Sequence, residues 1–337
     1  MSSALDHELE QLFLEAEAER ICLAPPDARI RDALARRLGG SIGCLWIVRP
    51  HPGIYARHHY WETLNPTERA LHAARTLSKK YPHWIFSDST AAAIYGWNVS
   101  YSLLNELRIV KRYHFSTTAA TCRETPEPVW TLCNGIRVTT PEQTLFNCLS
   151  ELDIKQALPI ADSALRMLNI TPDEAIRRIQ NDATLKRRHY RKRVFELLSL
   201  ANPLSESGGE SVTRATMILL GFEIPDLQAT YVDPVDPTHT MRADFRWTLP
   251  DSTVVLGELD GKQKYVDLSM THGQDIVDVL TKERLRESRL SLTGARILRF
   301  SYNDVLDECY FSYLLESCGI PRTPPPESVL ELASRRY

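Results

Sequence analysis

The 337-residue sequence has no pair of cysteines at C-x-x-C spacing, although it carries seven cysteines, at positions 22, 44, 122, 133, 148, 309 and 318. An odd number without that spacing signals neither a zinc site nor a disulfide framework, and implies reduced thiols. No apolar run approaches the length that spans a bilayer. The opening, MSSALDHELEQLFLEAEAER, is acidic and amphipathic, unlike a secretory signal. Neither G-x-x-x-x-G-K-[ST] nor G-x-G-x-x-G occurs, so nucleotide binding has no motif behind it. Internal repeats and low-complexity blocks are missing as well. These absences imply a cytoplasmic globular protein without a membrane partner, long enough for two domains. A formal net charge of −3 argues against a general coating of nucleic acid, and leaves local basic patches as the places to look.

One such patch is LKRRHYRKRV, residues 185–194, where Lys186, Arg187, Arg188, Arg191, Lys192 and Arg193 crowd a segment of helical character. A run of this kind either binds the phosphates of DNA or forms a solvated face of a connecting helix. Just after it, PLSESGG, residues 203–209, is rich in Pro, Ser and Gly and reads as a loop at a domain boundary.

Beyond that boundary, MRADFRWTLPDSTVVLGELDGKQKY, residues 241–265, divides into two strand-like runs parted by Pro250, Asp251 and Ser252. If those three residues are the loop, Leu249 pairs with Thr253 and Asp244 falls opposite Glu258, with Cβ atoms about 5 Å apart. Strand alternation turns Glu258 and Asp260 the same way. Like charges set opposite each other destabilise a sheet. Their convergence suggests a hard cation, Mg²⁺ or Mn²⁺, ligated by Asp244, Glu258 and Asp260. The alternative is a wet sheet edge protected from aggregation by its acids, which VVLGEL is too apolar to favour.

Upstream, GGESVTRATMILLGF gives a helix with Gly221 as its C-cap, opened by Glu210. Ser207 stands three residues before Glu210, the spacing of a capping box in which the glutamate reaches back to the N-cap amide. Downstream, a long helix carries Asp275, Asp278, Lys282, Arg284, Arg286 and Arg289 on what reads as a solvated face, and ARILRFSY follows as a strand. The order helix, strands, long helix, strand predicts a mixed α/β unit.

The segments ESGGESVTRATMILLGFEIPDLQ, ADF, VVLGELDGKQKY and TKERLRESRLSLTGARILRFSYNDV resemble, over residues 206–306, the actinobacterial branch of the very-short-patch-repair-like endonuclease domains of the PD-(D/E)XK superfamily. The resemblance implies a Mg²⁺-dependent DNA phosphodiesterase with Glu210, Asp244 and Glu258 as its acidic set. The superfamily pattern places Lys two residues after the third-strand acid, where this chain has Asp260. A lysine there orients water or stabilises developing charge. Lys262, Lys264 or Lys282 would have to take that role, and Lys262 keeps the strand parity of Glu258.

The first half resembles something else. RPHPGIYAR (49–57), WIFSDSTAAAIYGW (84–97) and GIRVTTPEQTLFNCLSELDIKQALPIADSALR (135–166) are similar to AbiEi-type antitoxins of type IV toxin–antitoxin systems, across about residues 20–185. That family implies a winged helix-turn-helix that binds operator DNA and a second domain that neutralises a toxin protein. In the residues themselves, Leu5, Leu9, Leu12 and Phe13 recur at helical spacing, DARIRDALARRLGG runs from an Asp N-cap to glycine stops, and LWIVRPHPGIYAR fits a wing. Arg29, Arg31, Arg36 and Arg37 supply either phosphate anchors or an ordinary solvent face. His58 and His59 have no spaced Cys or His partner and read as packing or surface residues. Ser87 and Asp88 form a capping pattern, with no nearby His to make a nucleophile.

The sequence therefore predicts an α+β or mixed α/β protein: a winged-helix-like segment (1–60), an antitoxin-like α/β segment (61–185), a basic helix and linker (186–207) and a restriction-endonuclease-like α/β domain (208–337). Two function classes remain. One is a DNA endonuclease using Glu210, Asp244, Glu258, Asp260 and Lys262 with Mg²⁺ or Mn²⁺. The other is a non-catalytic regulator or antitoxin whose nuclease-like domain only binds DNA or a toxin partner.

Overall fold

The computed structural model describes residues 3–38, 46–111, 120–124, 128–185, 188–260, 285 and 288–323. The fold is mixed α and β, in two compact units. One unit is made of residues 1–151 and 174–191, the other of 152–173 and 192–337.

The chain begins with α1 (Ser3–Ala18) and α2 (Ala28–Arg36), followed by a hairpin of β1 (Ile47–His51) and β2 (Ile54–Arg57). Asp27 caps α2 by accepting from the Ile30 amide at 2.8 Å, satisfying one of the donors a helix start leaves orphaned. Leu9 and Phe13 from α1 meet Ile30 and Leu34 from α2, with Ile47 and Tyr55 of the hairpin closing a small core. The apolar spacing of α1 thus buries a stripe against α2.

Next come α3 (His58–Thr63), α4 (Pro66–Lys80), β3 (Ile85–Phe86) and α5 (Asp88–Ile94), then β4 (Arg108–Lys111), β5 (Thr121–Glu124), β6 (Trp130–Cys133), β7 (Ile136–Thr139) and α6 (Pro141–Glu151). Their sheet has the order β5-β4-β3-β7-β6. Asn65 and Glu68 form a full capping box at the start of α4. At α5, Ser87 occupies the N-cap but makes no cap bond. Its Oγ donates to Asp88 at 2.9 Å, and Asp88 in turn holds Arg123 at 3.1 Å.

The remaining elements are α7 (Ile154–Leu168), α8 (Pro172–Asn181), α9 (Arg188–Leu200), α10 (Gly208–Leu220), β8 (Asp226–Val232), β9 (Thr240–Thr248), β10 (Val254–Asp260), β11 (Arg296–Ser301), α11 (Tyr302–Leu306) and α12 (Glu308–Ser317). The sheet order is β11-β10-β9-β8, with β10 and β11 parallel and the other neighbours antiparallel. Met217, Phe245, Trp247, Val255, Phe300 and Phe311 form the main core of this unit. Gly257 is required there, because a Cβ would stand 2.9 Å from the Trp247 ring and 3.1 Å from the Phe245 Cβ.

Helix α7, which the sequence reading assigns to the antitoxin-like segment, packs on α10 inside the second unit. The reason is a buried ion pair. Arg214 Nη2 lies 2.6 and 2.8 Å from the two Asp162 oxygens, Arg214 Nη1 donates to the Leu200 carbonyl, and the Asn202 amide donates to Asp162 at 2.7 Å. Burial pushes the Asp162 carboxyl up against the opposing pull of Arg214. With Asp162 fully buried, Asp162→Ala should leave an uncompensated buried guanidinium and cost about 3–5 kcal/mol. Adding Arg214→Met should recover part of that loss, and a double-mutant cycle by urea unfolding measures the coupling. Purely additive losses would refute a direct pair.

Candidate functional site

Ser207 caps α10, with its Oγ accepting from the Glu210 amide at 3.1 Å and donating to Glu210 Oε1 at 2.8 Å. The reciprocal bond of the expected capping box goes one residue further back: the Glu206 amide donates to Oε2 at 2.8 Å. The same oxygen accepts from Gln228 Nε2 at 2.9 Å. Glu210 is therefore more than a cap, since it also ties the helix to β8. Gln228 holds a left-handed backbone, φ +55°, a strain of about 1–3 kcal/mol for a residue other than glycine.

The hairpin adopts the register that the turn residues predict. Leu249 donates to the Thr253 carbonyl at 2.8 Å, and the ladder continues from Thr248–Val254 to Phe245–Gly257. One step further, where the turn count sets Asp244 opposite Glu258, no ladder pair forms. At that step the ladder stops, and the Leu259 amide donates to Asp244 Oδ2 at 3.0 Å. On the other side of β9 the register runs Leu227–Phe245 and then Ala229–Ala243, stepping over Gln228 and Asp244. Asp244 thus lies where β9 departs from both neighbours, its carboxylate standing in for a ladder carbonyl. Backbone amides in a sheet interior need such an acceptor.

Glu258 is buried. Its register partner on β11 is Arg299, and that of Asp260 is Ser301. Arg299 turns to Asp260, with Nε 3.1 Å from Oδ1 and Nη2 on the same oxygen. The Asp260 carboxylate is thus engaged by a cation from the neighbouring strand. Burial pushes the Glu210 carboxyl up and the charge of Asp244 pushes it the same way, outweighing the bonds from Glu206, Ser207 and Gln228. The structure draws Glu210, Gln228 and Asp244 into one polar neighbourhood, and places Glu258, Asp260 and Arg299 on the adjoining strands.

The basic segment separates into unlike members. Arg193 is buried and donates to the Leu152 carbonyl, so its charge ties α9 to the start of the α7 segment. Lys192 is exposed and stands 3.8 Å from Glu196, while Arg191 is half-buried. Arg188 begins α9. Lys186, Arg187 and Lys262 lie outside the described residues, as do Lys264 and Lys282. In the first unit Arg29 pairs with Glu8 at 2.5 Å, Arg31 with Asp32 at 3.1 Å and Arg37 with Asp6 at 2.6 Å. Those three arginines carry charges that are already balanced locally, and Arg36 is exposed.

Sequence reasoning overlooked Gln228 and Arg299. No motif marks either one. A signal for Arg299 does exist, since RILRF interrupts an otherwise apolar strand with a charge, but its partner lies 39 residues earlier.

Among the described residues, no group of three or more His, Cys, Asp or Glu side chains is arranged to hold a metal ion. Mg²⁺ is commonly held by one or two carboxylates, with water and substrate phosphate completing its shell. Asp244 and Glu258 fit that donor set. Glu210, Asp244 and Asp260 each accept the hydrogen bonds named above. No helix among the described residues is long and apolar enough to cross a membrane. No protein-family model, curated protein or solved structure matches the chain.

A raised Glu210 carboxyl means that the folded protein keeps this proton to higher pH than the unfolded chain. Its contribution to stability is therefore present in acid and lost as pH rises from the ordinary glutamate range through the raised value. Glu210→Gln should flatten that decline, because the amide carries no charge to desolvate. Urea unfolding between about pH 4 and pH 8 checks it. An equally steep decline in the variant would assign the effect to other groups.

Proposed function

We propose that the second unit is a divalent-cation-dependent phosphodiesterase domain acting on DNA, held to its substrate in part by the basic segment of α9 and in part by the first unit. The observation that carries this reading is the Asp244 carboxylate seated on the Leu259 amide at the parting of β9 and β10, one residue from the buried Glu258. Two carboxylates fixed at a strand divergence suit a hard cation and a phosphate together. The reading agrees with the resemblance of residues 206–306 to very-short-patch-repair-like endonucleases, and the winged-helix-like opening agrees with DNA as the partner.

In this reading Asp244 and Glu258 hold Mg²⁺ or Mn²⁺. When bound, such an ion polarises the scissile phosphate and acidifies a coordinated water. Asp244 is pre-set for the task because the Leu259 amide fixes its rotamer, so little ordering remains to be done on binding. Glu210, with its raised carboxyl beside Asp244, sets the local charge and ties α10 to β8.

A second reading is favoured by one observation. Asp260 stands at the superfamily's lysine position and is engaged by Arg299. A chain without that lysine also suits a regulator or antitoxin whose nuclease-like unit binds DNA or a toxin protein without cutting.

Cleavage of single-stranded, duplex, nicked or mismatched DNA should require Mg²⁺ or Mn²⁺, with Ca²⁺ supporting binding but little hydrolysis. Asp244→Asn, which keeps an acceptor for the Leu259 amide, and Glu258→Gln should each lower cleavage about 10²-fold or more while leaving binding intact. Protein that binds DNA and cuts none of these substrates with either metal sinks the enzyme and leaves the regulator.

DNA affinity should fall steeply with salt. Arg191→Ala combined with Lys192→Ala should lower the slope of log affinity against log salt by about one unit per lost contact, in anisotropy titrations from roughly 50 to 200 mM. Arg193→Ala should instead lower thermal stability, because it breaks the tie to Leu152. An unchanged slope in the double variant assigns that face of α9 to solvent.

A further inference from the structure

Tyr302 opens α11 immediately after β11, and the residue before it, Ser301, is the register partner of Asp260 at the end of β10. Its ring lies over the first turn of α10, because a Cβ on Gly209 would stand 3.9 Å from Tyr302 Cδ2 and 3.0 Å from Leu259 Cδ2. Both neighbours belong to the candidate site. Glu210 follows Gly209 in the chain, and the Leu259 amide holds Asp244. Gly208 and Gly209 contribute no side chains to that turn.

The rings of the core behave differently. Phe245, Trp247, Phe300 and Phe311 are at most 2% exposed and pack against one another. Tyr302 is 41% exposed and makes no ring contact among the described residues. Leu306, one helical turn on, is 57% exposed and shares its face at i,i+4 spacing. A lone exposed ring needs no function, but a ring set against the acid-bearing turn stands where a bound strand would pass. The carboxylates closest to it in sequence, Asp304 and Asp307, are engaged as helix caps and repel phosphate. What this surface can take is therefore the uncharged face of a base.

We infer that Tyr302 is a base-stacking residue, which holds one unpaired nucleobase beside the turn that carries Glu210 and thereby selects single-stranded DNA over intact duplex. Inside a duplex both faces of a base are covered by its neighbours, so only an unpaired base offers one to a side chain. Stacking of this kind tolerates any sequence, because every base has a π-face. The choice of the strand to be cut rests on the nuclease reading, whereas the stacking itself does not.

The test uses the full chain with Tyr302→Phe, Tyr302→Ala and, as a control, Tyr313→Ala, an exposed tyrosine of α12. Anisotropy titrations in Ca²⁺ give the affinity for labelled single-stranded DNA and for the duplex of the same sequence across a salt series, and cleavage is followed in Mg²⁺ and Mn²⁺. The wild type should bind the single strand more tightly. Tyr302→Ala should weaken single-strand binding about tenfold and duplex binding less than about twofold, with the salt slope unchanged because no phosphate contact is lost. Cleavage of subsaturating single strand should fall with it. Tyr302→Phe, which keeps the ring, and Tyr313→Ala should both behave as wild type.

Wild-type affinity in Tyr302→Ala overturns the inference and leaves the nuclease reading intact if the wild type cuts. An equal loss on both forms of DNA, or in Tyr313→Ala, overturns it too. If the wild type cuts nothing and Tyr302→Ala still loses single-strand affinity, the nuclease reading falls and the stacking residue stands. Should Tyr302→Ala melt early by circular dichroism, Tyr302→Leu, apolar but without a π-face, is compared with Tyr302→Phe. Loss in the leucine variant alone supports stacking, and equal behaviour of the two overturns it.

Discussion

Two strands that part company leave amides needing acceptors, and the second unit is organised around that constraint. Between β9 and β10 the ladder ends at Phe245–Gly257, and the next inward amide, that of Leu259, bonds to the Asp244 carboxylate. A solvated acid would hold many rotamers; this one is held by the backbone of the neighbouring strand. The same irregularity forces Gln228 into a left-handed conformation, from which its amide reaches Glu210 on α10. Strand, helix and acid are thus fixed relative to one another by the hydrogen-bond accounting of one break in the sheet.

The register of the hairpin was legible because turn chemistry is local. Pro250, Asp251 and Ser252 set the loop, Ser252 takes a positive φ of 66°, and the count from Leu249 and Thr253 carries to Phe245 and Gly257 without further information. Glu210 was half legible. Its cap with Ser207 follows from spacing, whereas the bonds from Glu206 and Gln228 do not, since the second depends on how β8 folds back over the helix.

What the sequence concealed lies at long separation or on the wrong side of a helix. Arg193 belongs to a basic run, yet Val194, Leu197 and Leu198 beside it are buried, and at helical spacing Arg193 falls on their margin. A charge run read as one unit, whether phosphate-binding or solvated, therefore has unlike members, and Arg193 anchors the helix. The placement of α7 in the second unit was equally hidden, because Asp162 looks like any polar residue of an amphipathic helix until Arg214 is seen against it. In the first unit, Arg29, Arg31 and Arg37 read from composition as either phosphate anchors or a solvent face, and their acidic partners, on α1 or alongside them, are set by packing that periodicity does not report.

The interrupted course of the second unit has a consequence for how the chain is made. Asp162 leaves the ribosome 52 residues before Arg214, and the stretch between them includes residues 174–191 that belong to the other unit. Synthesis delivers domains from the N-terminus onward, so α7 is complete while the cation that neutralises its buried face has yet to be translated. Until α10 emerges, that aspartate is better kept in water, and α7 has reason to stay undocked. A nascent chain halted near residue 200 would therefore hold a finished helix without its home, a state a chaperone can recognise and a protease can cut.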